Sequence, residues 1–219
     1  MKKGFSKFMM VLSLTCMMGV PVLADQVKST VDADTALKQL IEGNTRFSTG
    51  KASHPHQEAS RREALNQGQH PIAVVVSCSD SRVGPELVFD QGLGDLFVVR
   101  TAGNLVGDIE LGSIEYAVEY LGVTLIVVEG HEKCGAVSAA GTTGHFEGHI
   151  QTLVTKVRAN LSQSKVSKSA SLMEAVDGNV KAVVNQLQKS PDFAKKIKSG
   201  QLKVVGCHYT LSDGHIQIL

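Results

Sequence analysis

Two stretches decide how this 219-residue chain folds: Ile72-Ala73-Val74-Val75-Val76-Ser77-Cys78-Ser79-Asp80-Ser81-Arg82 and Val123-Thr124-Leu125-Ile126-Val127-Val128-Glu129-Gly130-His131-Glu132-Lys133-Cys134. Each opens with a run of β-branched and aliphatic residues that is apolar on both faces, as a strand buried in the middle of a sheet requires. Each then breaks into polar, chemically active residues. Pro71 bounds the first run at its start.

Outward from these stretches, strand and helix patterns alternate. Residues 96–99 read as a further buried strand, 203–206 as a strand, and 216–219 as a terminal edge strand. Residues 108–121 carry Ile114, Ala117, Val118 and Leu121 at helical spacing. Residues 149–162 and 171–189 also read as helices. Near the start, Asp34 or Thr35 can cap a helix running to about Phe47, with Leu37, Leu40 and Ile41 on one face. Residues 48–57, rich in Ser, Gly, Pro and His, read as a loop, and a short helix follows near 58–66. The pattern predicts an α/β fold: a mostly parallel central sheet, helices on both faces, an N-terminal helical arm over 34–66 and a C-terminal edge strand. There is no internal repeat and no linker after residue 58, so residues 34–219 form one domain.

Composition narrows the function. Apolar residues make up 42% and charged residues 20% of the chain, and the net charge is +1. A protein that grips nucleic acid through bulk charge would be far more basic. The N-terminus is a separate matter. Lys2, Lys3 and Lys7 precede an uncharged apolar run over 8–20, and Val22-Leu23-Ala24 offers a small-residue exit. This reads as a secretory signal peptide cut after Ala24, followed by a flexible start over 25–33. The expected location is the periplasm, with secretion as the alternative, and no membrane span after cleavage. Removing residues 1–24 takes three lysines and no acids, leaving 19 basic and 21 acidic residues. Cys78, Cys134 and Cys207 remain, an odd number in an oxidising compartment, where a bound metal is one way to protect a thiol.

The two polar breaks both follow strands. In an open α/β sheet ligands bind beyond the strands' carboxyl ends, so Cys78, Asp80, His131 and Cys134 would share one rim. Thiolate, imidazole and carboxylate are the donors that Zn2+ takes tetrahedrally. Cys-x-Asp puts two side chains on one side of an extended segment, and His-x-x-Cys lets one turn supply two ligands. Iron or cobalt would suit two thiolates less well here. Singly, each member has a plainer explanation: cysteines pack in cores, and Asp80 with Arg82 can be a structural ion pair. The combination points to zinc. Asp80 has two competing partners, the ion and the Arg82 guanidinium, and if Arg82 holds it the ion gains an open position for water.

Cys78-Ser79-Asp80-Ser81-Arg82, the segment Gly-Leu-Gly-Asp-Leu-Phe-Val-Val-Arg-Thr-Ala-Gly-Asn over 92–104, Ser113-Ile114-Glu115-Tyr116-Ala117, Gly130-His131-x-x-Cys134-Gly135 and Gly148-His149-Ile150 together resemble the β-carbonic anhydrase family over residues 34–219. The resemblance implies zinc ligands Cys78, His131 and Cys134, with Asp80 and Arg82 as the catalytic dyad and Asp80 as a conditional fourth ligand. It implies reversible hydration of carbon dioxide to bicarbonate and a proton by zinc-bound hydroxide. Zinc lowers the pKa of such a water to about 7, a magnitude that itself belongs to a three-histidine carbonic anhydrase.

Similarity to the plant-like subset implies that Gln69 hydrogen-bonds substrate while Phe97, Ala102 and Tyr116 line the carbon dioxide pocket. The bicarbonate-regulated subset carries tryptophan three residues before the first cysteine. Val75 stands there and the chain has no Trp, so no regulatory bicarbonate pocket and an open site at neutral pH are expected. The resemblance further implies a homodimer or tetramer, with 34–66 crossing onto the partner and Gln69 and Tyr116 serving the partner's site. Two departures stand out: Thr101 where the family often has Asn, and Glu129 in place of an apolar residue, leaning either to solvent or to the site. His54, His56, His145 and His149 could carry protons by their ordinary pKa, but the resemblance favours none. Hydrolysis of carbonyl sulfide or carbon disulfide on the same scaffold, and zinc binding without catalysis, are the rival readings.

Overall fold

A computed structural model of the chain describes residues 31–219, so the signal peptide and most of the expected flexible start lie outside the described residues. The first helix, α1 (Ala33–Ser48), begins before the expected Asp34 or Thr35. Asp32 is the cap: its Oδ1 accepts the Asp34 and Thr35 backbone N–H groups at 3.0 and 2.9 Å, filling two of the donors that a helix start leaves open. Ala36, Leu40, Gly43 and Asn44 form the buried face, and Ile41 is turned outward. After α2 (Ala59–Ala64) and a 3-10 turn over Leu65–Gln67, the chain enters the sheet.

The elements then run β1 (Ala73–Cys78), α3 (Pro85–Val88), β2 (Leu96–Thr101), α4 (Asp108–Tyr120), β3 (Leu125–His131), α5 (Gly135–Ala140), α6 (Gly148–Gln163), α7 (Leu172–Gln188), α8 (Pro191–Lys198), β4 (Lys203–Tyr209) and β5 (Ile216–Ile218). The expected strands and long helices are all present. The short helices α3, α5 and α8 are additions. Strand order is β2-β1-β3-β4-β5, parallel throughout except for β5 against β4.

Side chains alternate across this sheet and build two cores. Ala73, Val75, Leu125 and Val127 pack with Ala36 and Leu40 of α1 and with Val154 and Val157 of α6. Val74, Val76, Ile126 and Val128 pack on the other face with Ile114 of α4, Val180, Val183 and Leu187 of α7, and Phe193 of α8. Each such aliphatic side chain contributes about 1.5–3 kcal/mol by leaving water, so β1 and β3, apolar on both faces, form the rigid centre.

The strand order positions the site. From β1 the chain steps outward to β2, then crosses back over β1 to β3 and continues to β4. The loops leaving β1 and β3 therefore depart in opposite directions and open a crevice at the two carboxyl ends. Cys78 ends β1 and His131 ends β3.

Candidate metal centre

A sulfur of Cys78, a sulfur of Cys134 and a ring nitrogen of His131 lie within 4.8 Å of one another, all buried. Val74, Val75 and Val76 pair with Ile126, Val127 and Val128, which brings the two strand ends level. Cys134 arrives from the turn after β3, where it is the extended cap residue of α5. That turn passes through Lys133, whose φ of 56° is left-handed, and this bends the chain back so that residues 131 and 134 face one point.

The donor set fits a dication on this structure's own terms. His131 Nδ1 donates to the Glu132 carbonyl at 2.9 Å, which fixes the ring. Its Nε2 is buried and has no hydrogen-bond partner among the described residues. A polar atom left this way costs free energy unless something binds it. The hydrogen bond from Cys134 is the main cause that drives the Cys78 thiol far below its usual range, aided against burial by His131 and the Gly103 N–H. That thiolate, together with burial, pushes Cys134 up. Burial opposes a charged His131, but the Cys78 thiolate outweighs it and raises the imidazole. Cys78, Cys134 and His131 would hold a dication in competition with protons, so its affinity would fall with falling pH.

Asp80 stands at the mouth, its Oδ2 3.9 Å from His131 Nε2. Arg82 grips it bidentately, Nε to Oδ1 at 2.8 Å and Nη2 to Oδ2 at 2.7 Å, and the Arg82 backbone N–H adds a third bond at 3.0 Å. The Arg82 guanidinium holds the Asp80 carboxyl well below the usual carboxylate range. The carboxylate is thus committed to Arg82 while still facing the pocket.

Arg100 has a role that the sequence reading does not assign. Its Nε donates to the Cys78 carbonyl at 2.8 Å and its Nη2 to the Asp80 carbonyl at 2.6 Å, holding the loop that carries both residues. A permanent cation ending the apolar run of β2 is the signal that could have found it. Of the two directions expected for Glu129, solvent is excluded: the side chain lies inside, near enough to the metal ligands to feel the charge of Cys78. It is fully buried, and among the described residues both its oxygens lack hydrogen-bond partners, as does Ser77 Oγ. Ser77 is level with Arg100, and Glu129 with Cys207, so the four residues cross the sheet in one row beneath the ligands. Burial pushes the Glu129 carboxyl up to about 8 against the opposing pull of Arg100. Cys207 is fully buried. Thr101 turns its hydroxyl to the Leu105 carbonyl at 2.7 Å.

The other expected substrate residues divide. Ala102 follows β2 at the carboxyl rim, next to Gly103, whose N–H reaches Cys78 Sγ. Gln69 is exposed and precedes the amino end of β1, on the order of 17 Å or more from Cys78 at about 3.3 Å per residue. Phe97 pairs with Val74, four residues or about 13 Å from Cys78. It lies 6.4 Å from the ring of Tyr116, which stacks on Tyr120 at 5.4 Å. Within one chain, then, Gln69, Phe97 and Tyr116 gather toward the sheet's amino side, away from the metal ligands. His56 is occupied by Asp95 at 2.7 Å.

The chain is similar to known proteins. A family model described as carbonic anhydrase matches residues 73–216. A carbonic anhydrase of Mycolicibacterium smegmatis is 43% identical over 188 residues, covering 84% of this chain and 91% of the relative. The solved β-carbonic anhydrase CcaA superposes with a TM-score of 0.66 at 28% identity, covering 83% of this chain and 94% of that one. A tetrameric β-carbonic anhydrase of Sordaria macrospora superposes at 0.65 with 26% identity, over 84% and 96% of the respective chains.

Proposed function

The chain belongs to the β-class carbonic anhydrase family and is a carbonate dehydratase; from this we propose that its zinc site is of the open kind, with Cys78, His131 and Cys134 holding the ion and Arg82 keeping Asp80 off it. The observation that carries the reading is the clamp itself: both Asp80 oxygens are bonded to Arg82 while the carboxylate faces the three ligands.

When bound, zinc supplies Lewis acidity that makes a water molecule nucleophilic near neutral pH. The remaining work falls to the chain. Asp80, kept ionised and correctly turned by Arg82, accepts a hydrogen bond from the attacking water and so aims its lone pair at carbon dioxide. Arg100 fixes the backbone beneath Asp80. Ala102 gives the rim an apolar wall suited to an apolar gas.

The amino-side position of Gln69, Phe97 and Tyr116 supports their service at a partner's site in a homodimer or a tetramer. There Gln69 donates to a substrate oxygen where negative charge develops, and Phe97 and Tyr116 complete the pocket. Tyr116 and Tyr120 are 47% and 55% exposed in the single chain, which suits an interface. The helical arm over 34–66 is the segment proposed to cross. The charge and hydropathy of residues 1–24 support export to the periplasm.

Metal analysis beside a carbon dioxide hydration assay tests the site. Cys78→Ser and His131→Ala are expected to lose zinc and turnover together. Asp80→Asn and Arg82→Leu are expected to keep most zinc and lose about 10²-fold or more in kcat. Full activity in metal-free protein refutes the zinc reading, and full activity in Arg82→Leu refutes the clamp.

A further inference from the structure

We infer that Asn179, on α7, is a positioning residue for the Cys78 sulfur, acting through Gly103. The Gly103 backbone N–H donates to Cys78 Sγ at 3.2 Å in a buried setting. Gly103 lies beyond the last residue of β2, outside the ladder that would otherwise fix its peptide. Its φ of 74° is left-handed, and a Cβ there would sit 3.1 Å from that of Ala136, so both conformation and space demand glycine. The Asn104 N–H donates to the Thr101 carbonyl at 3.0 Å and closes a turn around Gly103, and a second hold from outside that turn keeps the Gly103 N–H on one sulfur.

Asn179 provides that hold. Its Nδ2 donates to the Gly103 carbonyl at 2.9 Å and faces Asn104 Oδ1 at 3.5 Å. Its Oδ1 accepts from Asn160 Nδ2, on α6, at 2.8 Å. The amide orientation follows from these partners, since a carbonyl can only accept. Asn160 and Asn179 are both buried, on helices whose other buried positions include Val154, Val157, Val176, Val180 and Val183. An apolar pair would fill this place without the desolvation cost of two amides. What the amides add is direction: a chain of donors from α6 through α7 to Gly103, ending on the metal-ligating sulfur. A hydrogen bond onto a ligand thiolate withdraws electron density from it and restricts its position, and loss of such outer contacts typically costs about 10- to 100-fold in metal affinity or activity.

The inference rests on the metal reading of Cys78, His131 and Cys134, and the test separates the two. Cobalt(II) is loaded into the full-length protein and into Asn160→Leu/Asn179→Leu, which replaces the amide pair by an apolar one. The thiolate-to-cobalt absorption band and the rate of cobalt loss to a chelator are then measured. The expected result is a band moved to longer wavelength and release accelerated about 10- to 100-fold, with Asn160→Leu alone shifting both less. An unchanged band and unchanged release in the folded double variant overturn the inference. A wild-type protein that takes up no cobalt overturns the metal reading instead. Should the double variant not fold, cadmium-113-substituted wild-type protein decides. A scalar coupling between the metal and the Gly103 amide proton through Cys78 Sγ, lost in the milder Asn179→Asp, supports the inference. No coupling in the wild type overturns it.

Discussion

Glu129 shows how one residue can set a pH dependence of the whole fold. Its folded pKa, about 8 because of burial, stands above the ordinary glutamate value of 4.5. Between those values the folded chain binds a proton that the unfolded chain releases. The contribution to stability is complete below pH 4.5 and is lost as pH rises through 8. Glu129→Gln keeps the shape without the charge. It is expected to be more stable than the parent above about pH 8, by an amount of the order of a few kcal/mol, with the advantage shrinking toward about pH 5. Urea midpoints across roughly pH 5–9 check it, and parallel curves for the two proteins would show that Glu129 does not titrate in this window. The direction of Glu129 is not legible from sequence, because alternation along a strand does not say what covers each face at its end. The metal ligands are legible for the opposite reason. Their positions follow from strand ends, which the apolar runs mark, and their chemistry follows from residue type.

Beyond the packing of Ala36 and Leu40 and the exposed Asp34–Lys203 ion pair at 2.7 Å, helix α1 is tied to its neighbours by a buried amide. Asn44 Nδ2 donates to the Val88 and Gly214 carbonyls at 3.1 and 2.8 Å, and its Oδ1 accepts the Ile216 N–H at 3.0 Å. One amide thus ties α1 to the end of α3, to the turn before β5 and to β5 itself. Asn44→Ala leaves three backbone groups unpaired, those of Val88 and Gly214 buried and that of Ile216 part-buried, and is expected to cost about 2–4 kcal/mol, read as a lowered urea midpoint with an unchanged slope. The same contact explains why the face of α1 is rotated from the one its Leu and Ile residues suggest. Gly43 and Asn44 occupy the buried stripe because a Cβ at Gly43 would meet the Phe89 carbonyl, and Ile41 is displaced outward. The short helices α3, α5 and α8 escape a sequence reading because their apolar periodicity spans one or two turns, whereas α2 is legible from the loop that precedes it. Helix α8 does carry local signals, Ser190 before Pro191, Asp192 in its first turn and Lys195, Lys196 and Lys198 in its last.

For the whole molecule, the placement of Gln69 gives the sharpest test of assembly. If it serves the partner's site, a mixed dimer of Gln69→Ala and Cys78→Ser subunits contains one complete site: ligands from the first subunit, Gln69 from the second. Such hybrids, formed by co-expression and isolated with two tags, are expected to show about half the turnover of a wild-type dimer. If Gln69 acted within its own chain, the hybrid would be as impaired as its parents. The parallel sheet and its helices are legible in the sequence, since alternating strands and helices leave few other arrangements. The order of the strands is not, because apolar runs do not say which neighbour each one takes.

That order has a consequence for how the chain reaches its native state. Cys78 and Cys134 are 56 residues apart in sequence, and the whole excursion through β2 and α4 must close before their strands become neighbours. Parallel pairing of this range is slow to nucleate, because chain entropy is spent before any contact repays it. No partial assembly that lacks the β1–β3 pairing can present all three donors. Acquisition of tight cation affinity by a refolding chain therefore reports one long-range event, the meeting of the two central strands, rather than general collapse.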